Sequence, residues 1–360
     1  MPTLFTPLTV GSLEVPNRIF MAPLTRCRAE PGDVPGELIA THYAQRASAG
    51  LLIAEATMAI AGNCAFPGAP GIHSEAQVAG WRKVTDAVHA KGGRIYLQVW
   101  HGGRACHSAV NGGRQPVSAS AIAIPGEANT PQGMQPYDTP RALEDGEIPG
   151  IVEGFRTAAA NAKRAGFDGV EIHGANGYLL DQFLRDGSNH RTGPYGGPIA
   201  NRARLLLEVV DAVASVFGAG RVGVRLSPLN SYNGMVDGDP VALTAFVAAE
   251  LSKRGIGYLH LMRADFYGKQ HGDVLTPARS AFAGTLVANM GYTPDEAEAA
   301  VAGGMVDAVA FGTAFLANPD LPARIRAKAP LNTPDQSTFY TPGAKGYTDY
   351  PALEAGVARA

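Results

Sequence analysis

The sequence has few cysteines, few charged residues and no long apolar stretch. Its three cysteines, Cys27, Cys64 and Cys106, form no CxxC pair, so we expect free thiols in a reducing compartment, the cytoplasm. Charged residues make up 17% and the formal net charge is −2, which argues against a nucleic-acid partner. No apolar run approaches the roughly 18 residues of a membrane span, and the first residues do not resemble a signal peptide.

Several catalytic and nucleotide-binding motifs are also missing. The sequence contains no GxGxxG turn, P-loop, GxSxG elbow or HExxH helix. These absences argue against a dinucleotide-binding sheet, an NTPase, an α/β-hydrolase and a zinc protease. The hydrophobic fraction of 46% is nevertheless high enough for a large core, so the chain is not disordered.

What the sequence does contain is an alternation of short apolar runs and longer helical segments. The apolar runs, typical of buried parallel strands, lie at Arg18–Pro23, Leu51–Thr57, Arg94–Trp100, Gly169–His173, Arg221–Ser227, Tyr258–Met262, Thr285–Asn289 and Ala308–Gly312. The helical segments follow them at Glu37–Ser48, Glu75–Ala90, Pro149–Ala165, Asn201–Val216, Val241–Arg254, Pro277–Ala283, Pro294–Ala302 and Leu321–Ala327. This pattern predicts an α/β protein, a (β/α)8 TIM barrel in a single domain over residues 1–360, with a doubly wound sheet as the alternative.

Two stretches depart from the alternation. Residues 102–147 form a long loop-like excursion between the third strand and its helix, and loops of this length are commonly functional. We therefore expect this excursion to act as a lid or cap. The tail from Leu331 onward is rich in Thr, Pro, Gly and Tyr, and either follows the surface or returns over the barrel mouth.

Barrel enzymes carry their chemistry at the C-terminal ends of the strands. The residues predicted there include hydrogen-bonding groups, aromatics and one fixed cation, Arg225, but Glu55 as the only carboxylate. No lysine stands at a strand end for a Schiff base, and no carboxylate pair is present for glycoside hydrolysis. No cluster of metal ligands converges either, so we expect no metal site.

The remaining polar groups suit a planar, electron-accepting ring. Arg225 is placed to stabilise the negative charge of a reduced isoalloxazine near N1 and O2. The amide of Gln98 offers both a donor and an acceptor to the pyrimidine edge of such a ring. Gly291 and Gly312 follow the last two strands, where barrels bind phosphate through backbone N–H groups.

At this point the chain resembles the old yellow enzyme family of FMN-dependent ene-reductases, in its classical branch. The resemblance covers nearly the whole chain. The segments that carry it are APLTR at 22–26, YAQRASAGLLIAEAT at 43–57, GAPGIHS at 68–74, LQVWHGGR at 97–104, AGFDGVEIHGANGYLLDQFL at 165–184, NHRTGPYGG at 189–197, DAVAFG at 307–312, ANPDLPAR at 317–324 and FYTPGAKGYTDYP at 339–351.

The resemblance implies a role for each matching residue. His173 and Asn176 match the pair that hydrogen-bonds the substrate oxygen, and Tyr178 matches the proton donor. Positions matching contacts to the flavin ring are Pro23, Leu24, Thr25, Ala56, Gln98 and Arg225. The phosphate is expected at Gly291, Gly312 and Thr313. The substrate walls are expected at Phe66, Trp100 and Tyr340.

The chain departs from the family pattern at several positions. Thr313 stands where the family usually has arginine, so we expect weaker retention of FMN. Phe66 replaces a frequent tyrosine, and the stretch at 195–202 reads YGGPIANR without its usual serine and acid. The large aromatic residue expected after the sixth strand is either Phe266 or Tyr267.

The implied mechanism has two half-reactions at one site. NADPH or NADH reduces FMN and leaves, and an activated alkene or nitro compound then binds in the same place. Hydride passes to the β-carbon while Tyr178 protonates the α-carbon from the opposite face, which implies ping-pong kinetics and trans addition. The enzyme would be a monomer or a homodimer. Two alternatives stay open: an FMN barrel dehydrogenase that oxidises its substrate, and a binding protein that lost the flavin, suggested only by Thr313.

Overall fold

A closed barrel of parallel strands surrounded by helices forms the body of the computed structural model, which describes residues 1–353. The strands are β1 Leu8–Val10, β2 Leu13–Val15, β3 Ile19–Met21, β4 Leu52–Met58, β5 Ile95–Trp100, β6 Val117–Ser118, β7 Glu127–Thr130, β8 Gly133–Pro136, β9 Arg141–Ala142, β10 Gly169–Gly174, β11 Val222–Leu226, β12 Tyr258–Met262, β13 Thr285–Asn289 and β14 Ala308–Phe311. The helices are α1 Glu37–Gln45, α2 Glu75–His89, α3 Ile148–Arg164, α4 Leu179–Leu184, α5 Ile199–Phe217, α6 Pro240–Lys253, α7 Leu275–Ala281, α8 Pro294–Ala302, α9 Thr313–Ala317 and α10 Leu321–Ala327.

The barrel closes in the order β3–β4–β5–β10–β11–β12–β13–β14, which confirms the predicted (β/α)8 fold. The strands correspond to the eight apolar runs, and β12, β13, α8 and α10 have the predicted bounds. Helix α8 begins where expected because Thr293 and Glu296 form a reciprocal capping box at its first turn. Helix α1 ends three residues earlier than predicted, since the Arg46 N–H bonds the Tyr43 carbonyl in a tighter turn.

An N-terminal hairpin, which the sequence analysis did not predict, closes the bottom of the barrel. Strands β1 and β2 pair antiparallel, and Val10, Leu13 and Val15 pack against inward-facing side chains of the barrel strands. The Arg221 guanidinium fixes the hairpin by donating to the Ser12 hydroxyl at 2.7 Å and to its carbonyl at 2.9 Å. The hairpin thereby leaves the C-terminal ends of the strands as the open end.

Strand register decides which side chains meet inside the barrel. On β10, alternate residues point inward, so Glu171 and His173 face the interior while their neighbours face the helices. His173 is in register with Arg225 of β11, and Glu171 with Gln98 of β5. Two layers of polar residues therefore lie one above the other beneath the mouth.

The excursion at 102–147 packs beside the mouth and contributes none of the residues that line its cavity. It contains the β7–β8 hairpin and the short β6–β9 pair. Arg104 anchors it from within, because its buried guanidinium donates to the Asn233 carbonyl at 3.0 Å. Side chains of the excursion, including Ile124 and Tyr137, pack in one cluster with Tyr178. Its role as a cap stays a prediction.

The tail returns to the mouth, which was one of the two expected courses. Arg26 donates to the carbonyls of Phe339 at 3.0 Å and Gly346 at 2.7 Å. Arg28 donates to three further tail carbonyls, and Tyr347 is fully buried beneath both guanidinium groups. Two buried cations on the loop after β3 thus fix the tail in place.

Candidate active site

A cavity of about 610 Å³ opens at the C-terminal end of the barrel. Its walls come from the ends of several strands and from the tail, as the fold predicts for a barrel enzyme. The lining residues are Pro23, Leu24, Thr25, Ala56, Phe66, Gln98, His173, Asn176, Tyr178, Arg225, Tyr232, Phe266, Tyr267, Gln336 and Tyr340. The structure therefore brings together most of the residues that the sequence singled out, which lie far apart in the chain.

His173 presents a hydrogen-bond donor to this cavity. Its Nδ1 accepts the backbone N–H of Ala175 at 3.3 Å, which leaves the proton on Nε2. Burial, reinforced by the nearby Arg225, holds the pKa of His173 well below its usual value. The imidazole is therefore neutral, with one N–H free to donate.

Asn176 presents a second donor beside it. The Asn176 Oδ1 accepts from Asn230 Nδ2 at 2.9 Å, so the amide nitrogen of Asn176 is turned away from that contact. Its backbone, held at a positive φ of 58°, donates to the Ser227 hydroxyl at 2.7 Å. Asparagine tolerates this left-handed conformation better than most residues, which explains its place in the turn.

Tyr178 stands edge-on between two aromatic rings. Its ring lies 4.9 Å from His173 and 5.1 Å from Trp100, at interplanar angles of 86° and 84°. Burial, together with neighbouring tyrosines, raises the pKa of Tyr178 well above its usual value. The hydroxyl consequently keeps its proton at neutral pH and lines the cavity as a neutral acid.

Gln98 and Arg225 form the polar floor of the cavity. Gln98 Nε2 donates to the buried carboxylate of Glu171 at 2.7 Å, which leaves its Oε1 as an acceptor. Arg225 is 6% exposed, and its Nε lacks a hydrogen-bond partner among residues 1–353. A buried guanidinium whose Nε makes no hydrogen bond is costly, so Arg225 is positioned to bind a ligand.

A second cavity of about 230 Å³ continues from the first. It shares Leu24, Arg225 and Phe266 with the mouth and extends to Gly291, Gly312 and Thr313. Among the described residues that line it, Arg225 is the one charged side chain.

Arg263, which sequence reasoning missed, supports one side of this second cavity. It donates to the carbonyls of Met290 at 2.9 Å and Gly291 at 3.0 Å while stacking on Tyr292 at 3.6 Å. The residue follows β12 directly, and its position at a strand end was the available signal. Its contacts fix the turn after β13 that carries Gly291.

Aromatic residues form the outer wall of the mouth. The Phe66 and Tyr340 rings are nearly parallel, 6.0 Å apart at 6°. Trp100, which we expected in this wall, lies one layer behind it, fully buried and 6.4 Å from Phe66. Phe266 and Tyr267 both line the cavity, so the large aromatic after the sixth strand is a pair rather than one of the two. Tyr232 and Gln336 were not foreseen, because neither lies in a periodic element.

The comparisons with known proteins agree with this geometry. The model of the NADH:flavin oxidoreductase / NADH oxidase family matches residues 3–332. The chain belongs to this family. It is therefore an NAD(P)H-dependent flavin oxidoreductase with FMN as its cofactor, as predicted, and the resemblance to old yellow enzymes is confirmed.

Individual relatives match over almost the full length. A probable flavin mononucleotide-dependent alkene reductase of Leishmania infantum is 49% identical over 96% of each chain. Morphinone reductase in complex with tetrahydroNAD has 51% identity and a TM-score of 0.94, covering 99% of both chains. The old yellow enzyme homologue of Zymomonas mobilis has 46% identity and a TM-score of 0.95, and the match covers 98% of this chain and 100% of that protein.

The residues of this flavin oxidoreductase fit the cofactor. Unpartnered Arg225 and the free Oε1 of Gln98 meet at the floor, where an anionic pyrimidine edge with an N–H group would complement both. The two connected cavities provide a broad space for the ring and a narrower one for the ribityl phosphate. Thr313 leaves that narrower end without the charge of an arginine.

Two further expectations concern membrane-spanning helices and the cysteines. No helix within residues 1–353 is both long and apolar enough to cross a bilayer. The three cysteines are unpaired, as predicted, and burial raises the pKa of Cys27 and Cys64 to about 12. These thiols are therefore unreactive at neutral pH, and the flavin site uses none of them.

Proposed function

We propose that this protein is an ene-reductase, in which NAD(P)H reduces FMN and the flavin then reduces an activated alkene. The observation that carries the proposal is the hydrogen-bonding state of His173 and Asn176. Each has its acceptor atom occupied by the protein, which leaves an N–H donor for one substrate oxygen in the cavity. Enones, enals, maleimides and nitroalkenes all carry such an oxygen in conjugation with the double bond.

These two donors activate the alkene by withdrawing charge. Hydrogen bonds to the carbonyl or nitro oxygen stabilise the negative charge that develops there when hydride adds to the β-carbon. Both groups are buried, so their electrostatic effect is stronger than it would be in water. His173 is neutral, so it polarises the oxygen as a hydrogen-bond donor and is not needed as an acid.

Bound FMN would supply the hydride chemistry that links the nicotinamide to the alkene. The chain supplies the accompanying proton from Tyr178, whose raised pKa makes the phenol rather than the phenolate its resting state. One hydride and one proton add to the double bond, and Tyr178 regains its proton from solvent. Arg225 would hold the cofactor at its pyrimidine edge and offset negative charge there.

NADPH or NADH and the alkene are proposed to use the same mouth in turn. The stacked pair of Phe66 and Tyr340 offers one flat aromatic wall for either planar group. Names of relatives support both substrates, since one is an alkene reductase and another was solved with tetrahydroNAD. We also propose a cytoplasmic location, because the thiols are unpaired.

The decisive experiment separates the two half-reactions under anaerobic conditions. The purified protein with FMN should lose its flavin absorbance when NADPH or NADH is added and regain it when an enone follows. A flavin that is reduced by neither nicotinamide but by an alcohol or saturated ketone would indicate the dehydrogenase alternative instead. A protein that retains no flavin with FMN supplied would contradict the proposal altogether.

A further inference from the structure

A buried carboxylate, Glu171, lies directly beneath the proposed flavin site and has no role in the steps described above. It occupies β10 one inward position below His173 and is fully buried. The carboxylate accepts hydrogen bonds from Gln98 Nε2 at 2.7 Å, from His260 Nδ1 at 2.9 Å and from the Tyr258 hydroxyl at 3.0 Å. Three donors on two strands, β5 and β12, therefore converge on one charge.

The backbone is arranged to make these contacts. Gly223 is the register partner of both Glu171 and Tyr258, and a Cβ at position 223 would lie 2.1 Å from the Tyr258 ring. Because Gly223 has no side chain, the Tyr258 ring can lie against it inside the barrel. From this position the Tyr258 hydroxyl reaches the Glu171 carboxylate. Glycine at this position thus serves the contact to Glu171.

Glu171 is ionised despite its burial. Burial alone would raise the pKa of Glu171, but His260, Arg225 and the Gln98 amide together hold it below its usual value. Burial lowers the pKa of His260 while the carboxylate opposes this shift, and the Nδ1–H of His260 is the donor to Glu171. Arg225 is a further charge partner of Glu171, because the carboxylate is the main influence that opposes the lowering of the Arg225 pKa by burial.

We infer that Glu171 is a positioning residue for the cofactor, which orients the Gln98 amide and offsets the charge of Arg225. This inference rests on the proposed FMN site. With one Nε2–H fixed on the carboxylate, Gln98 keeps its Oε1 free for the cavity, where it can accept an N–H of the pyrimidine ring. The negative charge also weakens the field of Arg225 at the flavin, which lowers the reduction potential.

Two variants separate orientation from charge. Glu171→Gln removes the charge and introduces an amide donor, so Gln98 loses its fixed orientation and Arg225 is no longer offset. Glu171→Asp keeps the charge but withdraws it by one methylene, out of reach of Gln98. Tyr258→Phe serves as the matched control, because it deletes one hydrogen bond to Glu171 and changes neither Gln98 nor the net charge.

The measurements are the FMN dissociation constant, from flavin fluorescence, and the midpoint potential of the bound flavin. For Glu171→Gln we expect a higher FMN dissociation constant. We also expect the ratio of reduced to oxidised flavin at a given potential to rise at least tenfold, which is a rise of about 30 mV in the two-electron midpoint potential. For Glu171→Asp we expect weaker binding at a nearly unchanged potential. Tyr258→Phe should stay within about twofold of the parent in both, because it leaves the Gln98 contact and the charge of Glu171 in place.

Parent-like binding and potential in Glu171→Gln would overturn the inference. Should that variant not fold, Glu171→Asp decides, because parent-like FMN binding there is incompatible with an orienting role. A parent protein that binds FMN but reduces no alkene would contradict the proposed function and leave this test intact.

Discussion

The amide nitrogen of Asn230 donates a hydrogen bond to Oδ1 of Asn176 at 2.9 Å, and this contact determines which end of the Asn176 amide meets the substrate. Asn230 is fully buried and also accepts the backbone N–H of Phe266 at 3.2 Å. It therefore links a proposed catalytic side chain to the loop after β12. None of these links was visible in the sequence.

Replacing Asn230 tests this arrangement. In Asn230→Leu the Asn176 amide loses its partner and becomes free to turn its oxygen toward the substrate. We expect kcat/KM for an enone to fall about tenfold, the value of one lost orienting hydrogen bond. Reduction of the flavin by NAD(P)H should change less than twofold. Ser231→Ala is the control, since Ser231 bonds Asp265 instead. An unaffected kcat/KM in Asn230→Leu would refute this role.

Removal of the Tyr178 hydroxyl tests the proposed proton donor. Tyr178→Phe should slow flavin reoxidation by an enone by about 10²-fold or more, the usual contribution of a positioned acid. The reductive half-reaction needs no proton from this group and should keep its rate. Stopped-flow absorbance of each half-reaction measures both. Tyr137→Phe, which removes a hydroxyl from the same cluster, should leave both rates intact; equal losses in the two variants would contradict the assignment.

A charge at position 313 tests the phosphate end of the cavity. Thr313→Arg would add a cation where Arg225 is otherwise the one charged lining residue described. We expect FMN to bind about tenfold more tightly at low salt, as for a charge-assisted hydrogen bond to a dianion. Riboflavin, which has no phosphate, should bind as before. Thr313→Val is the control for loss of the hydroxyl. Equal tightening of riboflavin would show that the phosphate is held elsewhere.

The buried Glu55 makes stability depend on pH. Burial raises the pKa of Glu55 to about 7, against an unfolded value near 4.5, so the folded state binds more protons between these values. Stability from this group is therefore present at low pH and is lost as the pH rises to about 7.

Glu55→Gln removes this dependence. Since one pKa unit corresponds to about 1.4 kcal/mol, the variant should gain a few kcal/mol relative to the parent between pH 4.5 and pH 7. Urea unfolding of both proteins with FMN at several pH values measures the difference. A constant difference across this range would show that Glu55 is ionised throughout.

The barrel itself could be predicted from the sequence because buried parallel strands are apolar on both faces. Tyr258–Met262 and Thr285–Asn289 are buried along their whole length, and the second is followed by a helix capped by Thr293. The hairpin of β1 and β2 could not be predicted. Its strands have three residues each, which is too short for a periodic pattern.

The site residues could be predicted to the extent that they stand in recognisable motifs at strand ends. Trp100 shows the limit of that reasoning. Alternation along β5 predicts that Trp100 faces the mouth. The sequence pattern does not predict that Phe66, from another loop, lies between Trp100 and the cavity. Tyr232, Gln336 and Arg263 were missed for a related reason, since loops have no period that fixes which side chains converge.

The attachment of the tail has a consequence for synthesis on the ribosome. The buried guanidinium of Arg26 depends on the carbonyl of Gly346, 320 residues later in the chain. At about 5–20 residues per second, translation takes about 16 to 64 s to supply that partner. During this interval the loop after β3 lacks the contacts that order it, and Tyr340 is absent from the wall. The mouth is thus among the last parts of the nascent protein to mature, well after the first strands have emerged.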